Sequence, residues 1–157
     1  MNKKVKSYIL LIALPLLVGG LSAILTSGSM GLYETIVRPP ISPPPIVFPI
    51  VWPILYALMG VSSGLVYNSN APSAEKNNAL AVYFLQLIIN FFWSLVFFNQ
   101  RAFLGAFILI LILLSLAGIM IIKFYKIDKT AALLQIPYFL WVSFATYLTI
   151  MIYLLNR

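Results

Sequence analysis

The side chains with something to offer a ligand in this 157-residue chain are three tryptophans and a few neutral polar groups at helical spacing. Trp52, Tyr56 and Met59 recur one turn apart and share one helix face. Gln86, Asn90 and Phe97 align on another, with Trp93 and Ser94 close to that stripe. Trp141, Ala145 and Thr149 follow one another at single-turn spacing on a third. Indole and phenol rings with a few amides and hydroxyls suit stacking, burial and oriented hydrogen bonding of a large, flat, mostly apolar molecule. The same residues have a plainer use. Aromatics in membrane helices often pack on neighbours or sit at the headgroup level, and Asn or Gln often bridges helices.

Other chemistries lack their residues. The chain has no cysteine and no histidine. That excludes disulfides, the commonest metal ligand, and Cys–His or Ser–His–Asp catalysis. With His and Cys gone, only Met and Tyr remain as axial ligands for a haem iron, so a tetrapyrrole would be held by stacking and packing. No metal site and no obligatory cofactor is expected. The apolar spans contain no Asp, Glu, Lys or Arg in their interiors. An ion-coupled antiporter or an acid–base catalyst at membrane depth needs such a residue.

The elements that position these side chains follow from the apolar runs. Hydrophobic residues make up 62% of the chain and charged residues only 8%, against roughly 25% charged in a soluble domain. Charges and polar turns divide the sequence into spans over residues 7–27, 46–67, 79–99, 102–122 and 130–155, the last closed by Asn156 and Arg157. Each is long enough to cross the hydrocarbon core as a helix, and none alternates as a barrel strand would. The expectation is an all-α integral membrane protein, one five-transmembrane-helix bundle over residues 1–157. The first span begins like a signal peptide, but its apolar run continues through Ile24 and Leu25, so it is read as a retained helix.

Lys3, Lys4, Lys6, Lys76, Lys123, Lys126 and Lys129 fall on one side of this topology, and Arg38, Arg101 and Arg157 on the other. The positive-inside rule places the N-terminus in the cytoplasm and the long first loop and the C-terminus outside, and the expected location is a bacterial cell membrane. The net charge of +7 sits in these short clusters and is read as topology, with no nucleic acid as partner. Gly60 with Gly64, and Gly19 with Ala23, form small-residue pairs that permit close helix approach, within the bundle or between protomers of a homodimer.

Seven prolines crowd residues 38–56, "RPPISPPPIVFPIVWPILY". Pro39, Pro40, Pro43 and Pro44 predict a stiff, extended segment, so the loop over 28–45 reads as a rigid lid. Pro45 is tolerable at a helix start. Pro49 and Pro53 predict a distorted, bent entry to the second span that frees the carbonyls of Pro45 and Pro49 and aims Trp52 inward.

Three segments, "RPPISPPPIVFPIVWPILYALMG", "LQLIINFFWSLVFF" and "AALLQIPYFLWVSFATYL", together with the length and five spans, resemble the TspO/peripheral benzodiazepine receptor family of translocator proteins. The resemblance covers nearly the whole chain. It implies a five-helix bundle whose pocket opens near the first loop and binds porphyrins such as protoporphyrin IX. It also implies isoquinoline-carboxamide or benzodiazepine-type ligands in many members, and a sterol in some. By motif, Trp52, Asn90, Trp141 and Ala145 match positions lining the family's pocket, and Tyr33, Pro43, Pro44 and Tyr56 fall in the segment that closes over it. Trp93 joins the ligand set through its stripe. Several members are reported to degrade porphyrin in light, which would make the counterparts Trp52 and Trp141 the oxidisable pair.

Two positions depart from the family pattern: Ile41 stands where many members have Trp, and Thr149 where Asn is frequent. Leu148, Tyr153 and Arg157 fit a loose cholesterol pattern. Three functions are compatible with these residues. The chain binds a tetrapyrrole as a translocator or sensor, with Asn90 giving a hydrogen bond and Arg38 pairing a propionate. Alternatively, it degrades bound porphyrin in light, or it regulates partner proteins without catalysis.

Overall fold

The computed structural model describes residues 1–157. Its elements are α1 (Lys3–Thr26), a 3₁₀ turn at Ser27–Ser29, a short α2 (Leu32–Thr35), α3 (Val47–Tyr67), α4 (Ser73–Ser94), a π-helical turn at Leu95–Asn99, α5 (Phe103–Ile127), α6 (Lys129–Leu134) and α7 (Ile136–Leu155). Five of the resulting helical stretches are long and apolar enough to cross a membrane, with α4 and its π turn forming one and α6 with α7 another. There is no strand. The fold is the all-α five-span bundle that the apolar runs predict.

Helix ends differ from the apolar boundaries because helix continues beyond the hydrocarbon. α4 begins at Ser73, where Pro72 ends the turn and Glu75 sits in the first turn. A carboxylate there complements the exposed N–H groups and the positive end of the helix dipole. α5 runs on to Ile127, past Lys123 and Lys126, and stops where Asp128 turns extended. Asp128 then caps α6 by accepting from the Ala131 N–H at 2.9 Å. The fifth span breaks at Gln135, and Pro137 lies in the first turn of α7, where a missing N–H costs nothing.

The spans close into a ring. α1 packs on α3 and α4, α3 on α6 and α7, and α5 on α4, α6 and α7. Leu17, Ile24, Ile54 and Leu140 are all exposed, as are many other large apolar side chains on the outer faces. In water this surface would aggregate; in a bilayer it is the lipid-facing wall. The interior is built from Met59, Tyr83, Ile110, Leu113, Met120, Phe124, Tyr138 and Val142, all fully buried.

α1 and α3 form the closest seam. A side-chain atom on Gly60 would collide with the Ile12 and Leu11 backbone, and on Gly64 or Gly19 with the rings of Tyr8 or Tyr56. The small-residue face of α3 is therefore filled by α1 of the same chain and is not a surface for a second copy. Ser7 and Asn68 exchange hydrogen bonds at 3.1 and 2.9 Å across one end of this seam. Near the other end of the bundle, Asn99 donates to the Leu25 carbonyl at 2.9 Å.

Of the two prolines expected to free a carbonyl, Pro53 does so and Pro49 does not. α3 starts at Val47, so Pro49 falls in its first turn, where no intrahelical donor is needed. The Pro45 carbonyl is not free, because it accepts from the Phe48 N–H at 3.3 Å, and the Pro44 carbonyl accepts from Val47 at 3.0 Å. Only Pro53 lies inside the helix and removes a ladder bond, the one to the Pro49 carbonyl.

Candidate functional site

Near the first-loop end, four aromatic side chains meet at the centre of the ring. Trp52 stacks on Tyr56 one turn later, with centroids 5.5 Å apart and planes at 28°. Its other contacts are edge-on, to Tyr138 at 6.5 Å and to Trp141 at 6.5 Å and 89°. Trp141 in turn meets Phe48 at 6.0 Å. Helical spacing puts Phe48, Trp52 and Tyr56 on one stripe of α3, and Tyr138 and Trp141 on one stripe of α7.

Below these rings lies a polar cluster. Tyr138 donates its hydroxyl proton to Gln86 Oε1 at 2.6 Å, and Asn90 Nδ2 donates to the Tyr138 oxygen at 3.2 Å. The lengths fix the directions. The short contact suits O–H···O, and the longer one suits N–H···O. A tyrosine has one proton to give, so Asn90 is oriented as donor towards Tyr138 and its Oδ1 is left without a partner. Gln86 Nε2, Trp93 Nε1 and Trp141 Nε1 are also buried and unpartnered. Polar groups buried in a bilayer without partners are costly, which makes them places for a ligand to bond.

A cavity of about 310 Å³ opens beside the aromatic cluster, between α1, α3 and the end of α4. Trp52, Tyr56, Pro49 and Pro53 line it from α3, Ser22 and Thr26 from α1, and Trp93 and Phe98 from α4 and its π turn. A π turn inserts a residue into the helical ladder, and here it places the cavity-lining Phe98 next to the buried Phe97. A second hollow of about 340 Å³ between α1 and α4 is wholly apolar, lined by Leu14, Val18, Phe84 and Phe91 among others, and is a lipid-facing groove.

Of the residues singled out by sequence, Trp52, Tyr56 and Trp141 are in direct contact, and Asn90 reaches them through Tyr138. Trp93 joins across the cavity. Asn90, Trp141 and Ala145 do not line that cavity. Trp52 stands between the two groups, lining the hollow and touching Trp141 and Tyr138. Ala145 is buried one turn beyond Trp141, and its carbonyl accepts from Thr149 Oγ1 at 2.7 Å.

In the loop, Tyr33 is buried, meets Phe48 edge-on at 5.1 Å and donates to the Pro43 carbonyl at 2.8 Å. Pro44 is exposed and contributes only its carbonyl to the start of α3. Arg38 lies over the Tyr33 ring, 4.5 Å from its centroid. Leu148 is buried and so does not share an outer face with Arg157, which is exposed. Phe48 and Tyr138 carry no mark of a site in the sequence beyond their spacing. Both are one turn from a tryptophan already singled out, at four residues and three residues, and that spacing was the available signal.

Comparison with known proteins gives this arrangement a family. The TspO/MBR family model matches residues 11–155. The chain belongs to the TspO/MBR family. It is 34% identical to the tryptophan-rich protein TspO of Chlorobaculum tepidum over 157 residues, covering 99% of each chain. It is 30% identical to protein CrtK of Rhodobacter capsulatus, over 88% of this chain and 85% of that one. The human translocator protein is 31% identical over 73% of this chain and 68% of its own. As a TspO/MBR protein with five apolar spans, the chain is an integral membrane protein.

Proposed function

We propose that this protein is a membrane sensor or translocator whose ligand is a tetrapyrrole of the protoporphyrin IX kind, held in the aromatic cage under the first loop. The observation that carries the reading is the perpendicular pair Trp52 and Trp141, 6.5 Å apart, with Tyr56 and Tyr138 completing the walls. Such walls offer a flat ring both a face and an edge. Unpartnered indole N–H groups on Trp93 and Trp141 supply donors for carboxylates, and Asn90 Oδ1 supplies an acceptor. Relatives named tryptophan-rich sensory protein and translocator protein support the sensor or translocator role. The adjoining hollow, at about 310 Å³, is at the small end of ligand pockets, which run ~300–1,000 Å³. A macrocycle therefore requires the loop to shift. An isoquinoline-carboxamide or benzodiazepine-type molecule is the smaller alternative occupant.

Titration of the detergent-solubilised protein with protoporphyrin IX tests this reading through tryptophan fluorescence. Saturable quenching is expected in the wild type, with affinity weakened about tenfold in Trp52→Phe/Trp141→Phe, where two stacking partners worth ~0.5–1.5 kcal/mol each are reduced. Unsaturable quenching, or quenching untouched by the double substitution, overturns it. The two adjacent indoles also favour a second reading, photo-oxidation of the bound ring, in which the light-excited porphyrin activates dioxygen and dioxygen is the oxidant that opens the macrocycle. Loss of porphyrin absorbance in light but not in the dark, abolished in the same double variant, distinguishes it.

The charge pattern supports a cytoplasmic N-terminus, with the cage and C-terminus at the outer face. A C-terminal tag digested by protease added to intact cells is the expected result. Protection of that tag reverses the assignment.

A further inference from the structure

The loop over the cage is tied down by a residue from the far end of the chain. Val37 N–H donates to Asn156 Oδ1 at 3.0 Å, and Asn156 Nδ2 donates to the Val37 carbonyl at 2.8 Å. The side-chain amide thus meets the Val37 main chain as one rung of a sheet ladder would. No other hydrogen bond joins residues 31–45 to a helix beyond the two long ones that flank them.

Asn156 is held ready for this contact. Its own N–H bonds the Ile152 carbonyl at 3.1 Å, and Nδ2 bonds the same carbonyl at 2.8 Å. One amide therefore caps α7 and grips the loop. The task needs a donor and an acceptor on one short side chain. Aspartate lacks the donor and alanine lacks both.

The contact is mechanically connected to the cage. Val37 precedes Arg38, whose guanidinium covers the Tyr33 ring at 4.5 Å. Tyr33 packs on Phe48, and Phe48 on Trp141. Pro39 and Pro40 stiffen the chain that follows, so freeing Val37 moves the segment as a unit. Val37 is 57% exposed. Water competes for both of its bonds there, which keeps the tie breakable.

We propose that Asn156 is the latch of the loop: by gripping Val37 it sets how fast a molecule leaves the aromatic cage. The rate claim rests on the cage being the ligand site proposed above; the latch itself does not. Asn156 bonds only to Val37 and the last turn of α7, outside the aromatic cage, and acts as a positioning residue.

Two measurements on the full chain test it. Amide hydrogen exchange at residues 33–43 is expected to quicken on the order of tenfold in Asn156→Ala, as two surface hydrogen bonds are lost. Asn156→Asp, which keeps an acceptor for the Val37 N–H, should fall between. Val37→Pro removes the same N–H from the other side, and Ile36 before it is already extended at ψ 154° as a pre-proline residue requires. Its effect and that of Asn156→Ala should not add. Unchanged exchange in Asn156→Ala overturns the latch, whatever the ligand.

Protoporphyrin IX dissociation, followed by recovery of tryptophan fluorescence on dilution, is expected to speed up by a similar factor in Asn156→Ala. Porphyrin that binds but leaves at the wild-type rate shows that the loop is not the route out, and the proposal falls while the binding reading stands. Porphyrin that does not bind the wild type at all removes the tetrapyrrole reading, and the exchange result alone then decides the latch.

Discussion

Gly60→Val is expected to leave little monodisperse, folded protein in detergent, and Gly60→Ala to lower stability by about 1–3 kcal/mol, the usual cost of overpacking. The reason is what the new carbon meets. At Gly60 it meets the Cα of Ile12 and the carbonyl of Leu11, which are backbone and cannot rotate away. α1 must then move off α3 along the seam that holds it in the ring. At Gly64 and Gly19 the obstacles are the rings of Tyr8 and Tyr56, which can turn, so alanine there should cost less. Gly19→Ala has a specific consequence. It displaces the Tyr56 ring that stacks on Trp52, so ligand binding should suffer more than stability. Gly20 meets nothing within 4 Å, and Gly20→Ala should be neutral or gain up to ~1 kcal/mol from helix propensity. Thermal unfolding and size-exclusion profiles of the four alanine variants rank them. A Gly60→Val protein as stable as wild type refutes the seam argument.

The same glycines show what the sequence could and could not convey. Their spacing marked a close helix contact but left the partner open, because a small-residue face fits α1 of the same chain and a second copy equally well. The five spans were readable because hydropathy is a local property and charge marks its limits. Their ends were not, since helix runs beyond the apolar stretches to Ser73 and Ile127, where Pro72 and the extended backbone of Asp128 set the boundary.

The site divided along similar lines. Trp52, Tyr56, Asn90 and Trp141 stood out by type and period. Tyr138 did not, although it joins Gln86 to Asn90, because its role depends on α7 meeting α4. Asn156 was legible only as the residue closing a span. Its contact with Val37 bridges 119 positions of chain, a separation no local pattern encodes. Pro49 misled in the opposite direction. Its type suggested a lost bond, but its position in the first turn of α3 made that loss free.

Tyr138→Phe is expected to destabilise the bundle by about 2–3 kcal/mol, far more than one hydroxyl usually contributes. Deleting this oxygen orphans two groups at once, the Gln86 Oε1 that accepts its proton and the Asn90 Nδ2 that donates to it. Each buried orphan costs roughly 1–3 kcal/mol, and partial re-pairing in a membrane interior keeps the sum below the maximum. Tyr83 provides the contrast. It is equally buried, but its hydroxyl has no partner, so Tyr83→Phe removes an uncompensated group and should be neutral or stabilising. The two substitutions are chemically identical and differ only in connection. Adding Gln86→Leu to Tyr138→Phe should recover part of the loss, because it deletes one of the orphans that the first change created. Thermal unfolding of the single and double variants measures this coupling. If Tyr138→Phe and Tyr83→Phe behave alike, the Gln86–Tyr138–Asn90 cluster is not what fixes the centre of the bundle, and the orientation of Asn90 towards the cage loses its support.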